Sequence, residues 1–233
     1  MRDPTCRIAA FALALAACGA HPQAAGARRP DGFAEAGADP GGDPLAVARA
    51  FYSALHRADA RAAGTLVAGP DAGPALVALV TLARAYQSLE GAIRERFGAG
   101  AAREVGYSDR VAAEDAALAA ARADVQGDRA VVRAGEETLA TLARVRGRWR
   151  VQLEDALTSD EGVAALVREA ESSRDSAARV TPAIRGGLFD SAADALEAFK
   201  NGVALGMQGA APELPRAAPG ERPRAPEPQG VPL

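Results

Sequence analysis

Two histidines, His21 and His56, and two cysteines, Cys6 and Cys18, are the whole supply of imidazole and thiol in a chain of 233 residues. That is too few for a zinc cluster or a disulfide scaffold. His56 follows Tyr52 by four residues, which on a helix puts both on one face. An imidazole beside a phenol is a set of groups suited to proton transfer. Tyr86, from a second apolar stripe, joins them in outlining a pocket, but no carboxylate stands at a spacing that marks it as the partner of His56. A half-exposed helix residue is the simpler reading of this histidine. Serine nucleophile chemistry lacks both an elbow motif and a second usable histidine. Glu114-Asp115 and Asp124 do not have the spacing of a metal loop, and Gly186-Gly187 lacks the Lys-Ser/Thr pair of a phosphate loop. Asp59 and Asp128 sit where a carboxylate closes a turn, and Glu154 and Asp155, as neighbours in an extended segment, point to opposite faces. Arg144, Arg146, Arg148 and Arg150 crowd one hairpin and suit an anionic glycan or phospholipid headgroup, although arginines alternating along a strand also make an ordinary wet sheet face. These sets predict no catalytic centre, no metal and no cofactor.

The residue with the most specific chemistry is Cys18. Arg2 and Arg7 precede an uncharged apolar run over residues 8–17, which is about half the length needed to cross a hydrocarbon core but suits an export signal. The run ends in Leu15-Ala16-Ala17-Cys18-Gly19. This resembles the bacterial lipoprotein signal, in which small residues let the peptidase grip the backbone and the cysteine thiolate accepts a diacylglyceryl group. The resemblance implies removal of residues 1–17 together with Cys6, palmitate-type acylation of Cys18, and membrane attachment by several acyl chains. It implies the cell envelope as location, with the outer membrane of a diderm cell preferred because Gly19 is not aspartate.

These residues need elements to position them. Pro22, Pro30 and Pro40 punctuate residues 18–42, which read as a disordered tether, and residues 208–233 read as a disordered Pro-rich tail. Between them Asp43-Pro44 opens a helix carrying Leu45, Phe51, Leu55 and Ala58, and the segment from Gly69 to Pro74 breaks it. A second helix runs from Leu76 to Phe97, and a third, alanine-rich helix from Val111 to Arg122. The period then falls to two. Four short runs, around Val125, Val132, Leu142 and Trp149, are joined by turns at Gly127-Asp128, Gly135-Glu136-Glu137 and Arg146-Gly147, an antiparallel meander with one wet face. Thr158 and Glu161 match a capping box ahead of a helix that ends at Gly186-Gly187, and Ser191 with Asp194 caps a last helix. The expected class is α+β: N-terminal helices on a short meander sheet over 43–154, then a C-terminal helical pair over 155–207.

Apolar residues make up 48% of the chain and charged residues 24%, at a net charge of -3, which excludes a disordered protein and removes the electrostatic footprint of nucleic-acid binding. Three helices ahead of a meander, with Ala48-Arg49-Ala50-Phe51-Tyr52-Ser53-Ala54-Leu55, Val125-Gln126-Gly127-Asp128-Arg129-Ala130-Val131 and Gly147-Arg148-Trp149-Arg150-Val151, resemble the nuclear transport factor 2-like cone. Members include ketosteroid isomerases, polyketide cyclases and small envelope lipoproteins without known activity. The resemblance implies a non-catalytic lipoprotein binding a small ligand or a protein partner in a concavity lined by Tyr52, His56, Tyr86 and Trp149. An isomerase or dehydratase at Tyr52, His56 and Tyr86 is the enzymatic alternative. A structural envelope protein that self-associates through its C-terminal helices is the third. No strand precedes residue 121, a departure from the enzyme members that predicts a shallow cavity.

Overall fold

The computed structural model describes residues 42–69, 72–153, 157 and 159–210. The lipidation signal with Cys18, the tether with His21, the Pro-rich tail, and Glu154, Asp155 and Thr158 lie outside the described residues. Within them are seven α-helices and one four-stranded antiparallel sheet, an α+β fold.

Helix α1 (Pro44–His56) begins as the sequence predicts: Asp43 accepts the Leu45 amide at 3.0 Å and Pro44 occupies the first turn. Val47, Ala48, Phe51, Ala54 and Leu55 form its buried stripe. It stops earlier than the apolar spacing of Ala58 and Leu66 suggests. Ala58 takes a left-handed φ of 53° and Asp59 caps a new short helix, α2 (Ala60–Gly64), by accepting the Ala62 amide at 2.9 Å. Helix α3 (Gly73–Phe97) is 25 residues long and buries Leu76, Leu79, Leu82, Leu89 and Ile93 along one side. A short helix α4 (Ala99–Ala102) and a 3-10 turn (Arg103–Val105), neither legible from periodicity, lead to α5 (Tyr107–Ala120).

Helix α5 starts four residues before Val111, where the apolar pattern would begin it. The reason is tertiary. The carboxylate of Glu90 on α3, 4% exposed, accepts the Ser108 amide at 2.9 Å and also binds the Ser108 hydroxyl and Arg94. A buried carboxylate thus satisfies one free amide of the first turn and sits at the positive end of the helix dipole. At the other end Arg49 donates from Nε and Nη2 to the Leu118 carbonyl at 3.1 and 3.0 Å. Both caps of α5 therefore come from other helices.

Strands β1 (Arg122–Gln126), β2 (Arg129–Ala134), β3 (Glu137–Val145) and β4 (Arg148–Gln152) pair in sequence order. The last hairpin turns on Arg146 and Gly147, both at positive φ (51° and 80°), as a two-residue type I′ turn demands. The register slips between Val132 and Arg133, and Leu139 is left with no partner, a bulge in β3. Ala130, Val132, Ala140, Leu142, Trp149 and Val151 form the buried face, against which α1 packs. The free edge of β4 is held by the segment after α2: Val151 exchanges backbone bonds with Leu66 and Ala68, both 2.8 Å.

Helix α6 (Asp160–Arg185) is capped by Ser159, which accepts the Gly162 amide at 3.2 Å, in place of the Thr158 capping box read from the sequence. Helix α7 (Ala192–Met207) is capped by Ser191 as predicted, with the Asp194 amide at 3.1 Å. The apolar interior divides into two clusters. One joins α1, α2, the first half of α3, the sheet, and Leu166 and Ala170 of α6. The other joins the second half of α3, the 3-10 turn, the second half of α6, and α7. Helix α6 thus belongs to both, so packing does not separate residues 43–154 from the C-terminal helices.

Candidate functional site

A cleft opens where the end of α1, the middle of α3 and the first turns of α5 meet. Its walls are Tyr52, Leu55 and His56 from α1, Leu79, Leu82, Ala83 and Tyr86 from α3, and Tyr107, Arg110 and Glu114 from α5. Of the pocket residues read from the sequence, the structure brings together Tyr52, His56 and Tyr86.

Trp149 is not among them, which corrects the expectation. It sits 1% exposed on the inner face of β4, and its indole lies under the Arg144 guanidinium, 4.7 Å from the ring centroid. The ring fills the core beneath α1, and the cation seals its end.

His56 does have carboxylate partners, also contrary to the sequence reading. Its side chain is 13% exposed, with Nε2 2.7 Å from Glu114 Oε2 and Nδ1 3.4 Å from Asp115 Oδ1. The partners lie 58 and 59 positions along the chain, on a helix whose early start is set by Glu90, so no local spacing reveals them. Glu114 is shared with Arg110, whose Nε is 3.5 Å from Oε1, and Arg110 also lies 5.4 Å from the Tyr107 ring centroid. Gln87 ties the floor together, donating to the His56 carbonyl and, at 2.9 Å, to the Tyr107 hydroxyl. The Tyr52 hydroxyl donates to the Leu139 carbonyl at 2.7 Å, so it binds the residue that the bulge leaves without a strand partner.

Burial pushes the Tyr86 phenol up to about 12, helped by the nearby negative charge of Glu169 and opposed by Arg110. Tyr107 is raised by burial, with its bond to Gln87 pulling the other way. Glu169, facing this region from α6, is itself raised by burial. The two phenols stay protonated further into alkaline conditions than exposed ones, so neither is an anion ready to act as a base.

Space in the cleft is small. The depression encloses about 410 Å³ when its open mouth is counted, but the part that admits the centre of a water molecule is about 20 Å³. The second figure decides what can bind, because the first includes bulk solvent. It is room on the scale of one water. Each ring nitrogen of His56 faces a carboxylate oxygen, and the Tyr52 hydroxyl has its acceptor. Bringing a substrate to these groups would require breaking those contacts.

The four arginines of the last hairpin do not form one cluster. Arg144 faces the core side over Trp149, Arg146 lies in the turn, and Arg148 and Arg150 point to the opposite face of the sheet. Among the described residues no group of three or more His, Cys, Asp or Glu side chains is arranged to hold a metal ion, and no helix is long and apolar enough to cross a membrane.

Fold and site together define an α+β domain with a closed polar cluster between three helices. Comparison of the chain with protein-family models, with curated proteins and with solved structures finds no match.

Proposed function

We propose that this is an exported lipoprotein, anchored through Cys18, whose α+β domain works by surface interaction and not by catalysis. The observation that carries the non-catalytic half is the pairing of His56 with Glu114 and Asp115 in a cleft with room on the scale of one water. The anchoring half rests on Leu15-Ala16-Ala17-Cys18 and the apolar run before it. The order of three main helices followed by a meander supports the likeness to a nuclear transport factor 2-like cone. On this reading the concavity of the cone is occupied by the protein's own side chains, which favours a macromolecular or surface partner over a small ligand.

The anchor is tested by feeding cells a palmitate analogue. Wild-type protein takes the label and Cys18→Ala does not; an unlabelled wild type, or label persisting in the variant, removes the anchor. One observation favours the second reading, an isomerase or dehydratase: a histidine–carboxylate pair at 2.7 Å lies beside two tyrosines. Such an enzyme must admit a substrate to His56. Titration with phenol, followed through the His56 ring protons by NMR, separates the readings. Unchanged signals fit the closed cluster, whereas saturable shifts would return the cleft to enzymology.

A further inference from the structure

The sheet has a second face, and its charge is out of keeping with the chain. By strand alternation and register, Arg122, Asp124 and Gln126 of β1, Arg129, Val131 and Arg133 of β2, Thr141 and Ala143 of β3, and Arg148, Arg150 and Gln152 of β4 share the side away from α1. Five arginines stand there against one acid, Asp124, in a chain whose net charge is -3. Arg122, Arg129, Arg133 and Arg148 are exposed and Arg150 is half-buried. The acids Asp128, Glu136 and Glu137 sit at the turns, on the perimeter. Two features of the register concentrate the charge. Arg122 lies directly opposite Arg133, a like-charge pair that costs stability unless an anion lies over it. Arg129 and Arg150 flank Ala143 in one cross-strand row, so a short side chain separates two long cations. The sequence signal for this face was the alternation of Arg129 and Arg133 with Val132, and of Arg148 and Arg150 with Trp149. What the sequence alone could not supply was the pairing that sets them side by side with Arg122.

We propose that this arginine face docks on the anionic headgroups of a lipid bilayer. The identity of the surface rests on the envelope reading above; the charge of the face does not. Guanidinium groups bind phosphate with paired N–H donors, and a basic patch is drawn to an anionic leaflet within a Debye length. Twenty-four residues lie between Cys18 and Asp43, which makes twenty-five Cα steps. At the full extension of a polypeptide they reach about 85 Å, so an anchored domain is never farther than that from lipid. The anchor supplies proximity and the face supplies orientation. A nucleic acid offers the same phosphate chemistry, but the anchor holds the domain beside lipid.

The test uses the mature-length chain, residues 18–233 carrying Cys18→Ser so that no acyl chain contributes; the apolar clusters are built from residues between Leu45 and Val203. It is sedimented with phosphatidylglycerol/phosphatidylcholine vesicles and with phosphatidylcholine alone. The expected result is about tenfold or greater preference for the anionic vesicles, lost in high salt. The variant Arg129→Gln/Arg133→Gln/Arg148→Gln/Arg150→Gln loses that preference. A control with the same charge change on exposed helical and turn residues, Arg57→Gln/Arg61→Gln/Arg103→Gln/Arg168→Gln, keeps most of it. Equal affinity for both vesicle types overturns the proposal, and the wild-type comparison decides this even if a variant fails to fold. So does an equal loss in both folded variants, or retention by duplex DNA without retention by vesicles. If the palmitate label fails while the vesicle preference stands, the face survives and the anchor falls.

Discussion

Replacing Gly202 by alanine should destabilise the protein, although the same change in an open helix stabilises it. Gly202 lies in α7 where that helix crosses α6. A Cβ added there would fall 2.4 Å from the Ser176 hydroxyl oxygen and 3.1 Å from its Cβ. Ser176 is fully buried and donates to the Phe199 carbonyl at 2.8 Å. Rotating the hydroxyl away would relieve the closer contact, at the cost of that bond, and would leave the 3.1 Å contact in place. The favourable term is helix propensity, about 0.8–1 kcal/mol for Gly→Ala. Against it stand overpacking, about 1–3 kcal/mol, and the loss of a buried hydrogen bond, about 1 kcal/mol. The net is a loss of about 2 kcal/mol, which for a chain of this size lowers Tm by about 4–8 °C. The comparison variant is Gly91→Ala in α3, where an added Cβ meets nothing within 4 Å; it should gain up to about 1 kcal/mol. Adding Ser176→Ala to Gly202→Ala removes the closest contact and should recover about half of the loss. Urea unfolding of the four proteins measures all of this. If Gly202→Ala proves as stable as Gly91→Ala, the close approach of α6 and α7 is not what the fold requires.

Tyr86 should ionise near 12, about two units later than an exposed phenol, when tyrosinate absorbance is followed against pH. Because the folded state holds this proton more tightly than the unfolded chain, its contribution is intact below 10 and is lost as pH rises from 10 towards 12, about 3 kcal/mol in all. A Tyr86→Phe variant that shows the same alkaline loss would contradict this. Glu169→Gln removes a carboxyl whose folded value is raised by burial; the native state disfavours its charge, so the variant should gain stability at neutral pH and bring the Tyr86 titration down. Ser173, fully buried and with no hydrogen-bond partner for its hydroxyl among the described residues, should tolerate alanine with no loss or with a gain of up to about 1 kcal/mol in urea unfolding. A clear loss would reveal an acceptor.

How much of this was legible depended on whether a signal was local. The Asp43-Pro44 start, the four strands and their turns, and the Ser191 cap are written within a few residues of where they act, and the structure has them. The start of α5 is not local, because its cap is Glu90 on another helix. The His56 partners follow from that start, so a reader of the sequence sees Glu114-Asp115 only as a pair of surface acids. Trp149 was placed correctly on the last strand and wrongly in the pocket wall, since a tryptophan on a strand shows which face it shares and not which helix covers it. The arginines of the last hairpin were legible as a cluster in sequence. Their division between two faces required the register.

Helices α3 and α6 each run through both apolar clusters, and this bears on the order in which the chain can become a protein. A ribosome delivers α3 some sixty residues before α6 begins, and until α6 arrives neither cluster can close, since Leu166 and Ala170 belong to one and Ala177, Val180 and Ile184 to the other. The N-terminal two thirds would therefore remain open, with Leu89 and Ile93 uncovered, until the C-terminal third is available. A nascent chain that stays open while it is being made is one that can still be threaded through a pore. The same arrangement leaves a truncated product without a finished core and exposed to proteolysis.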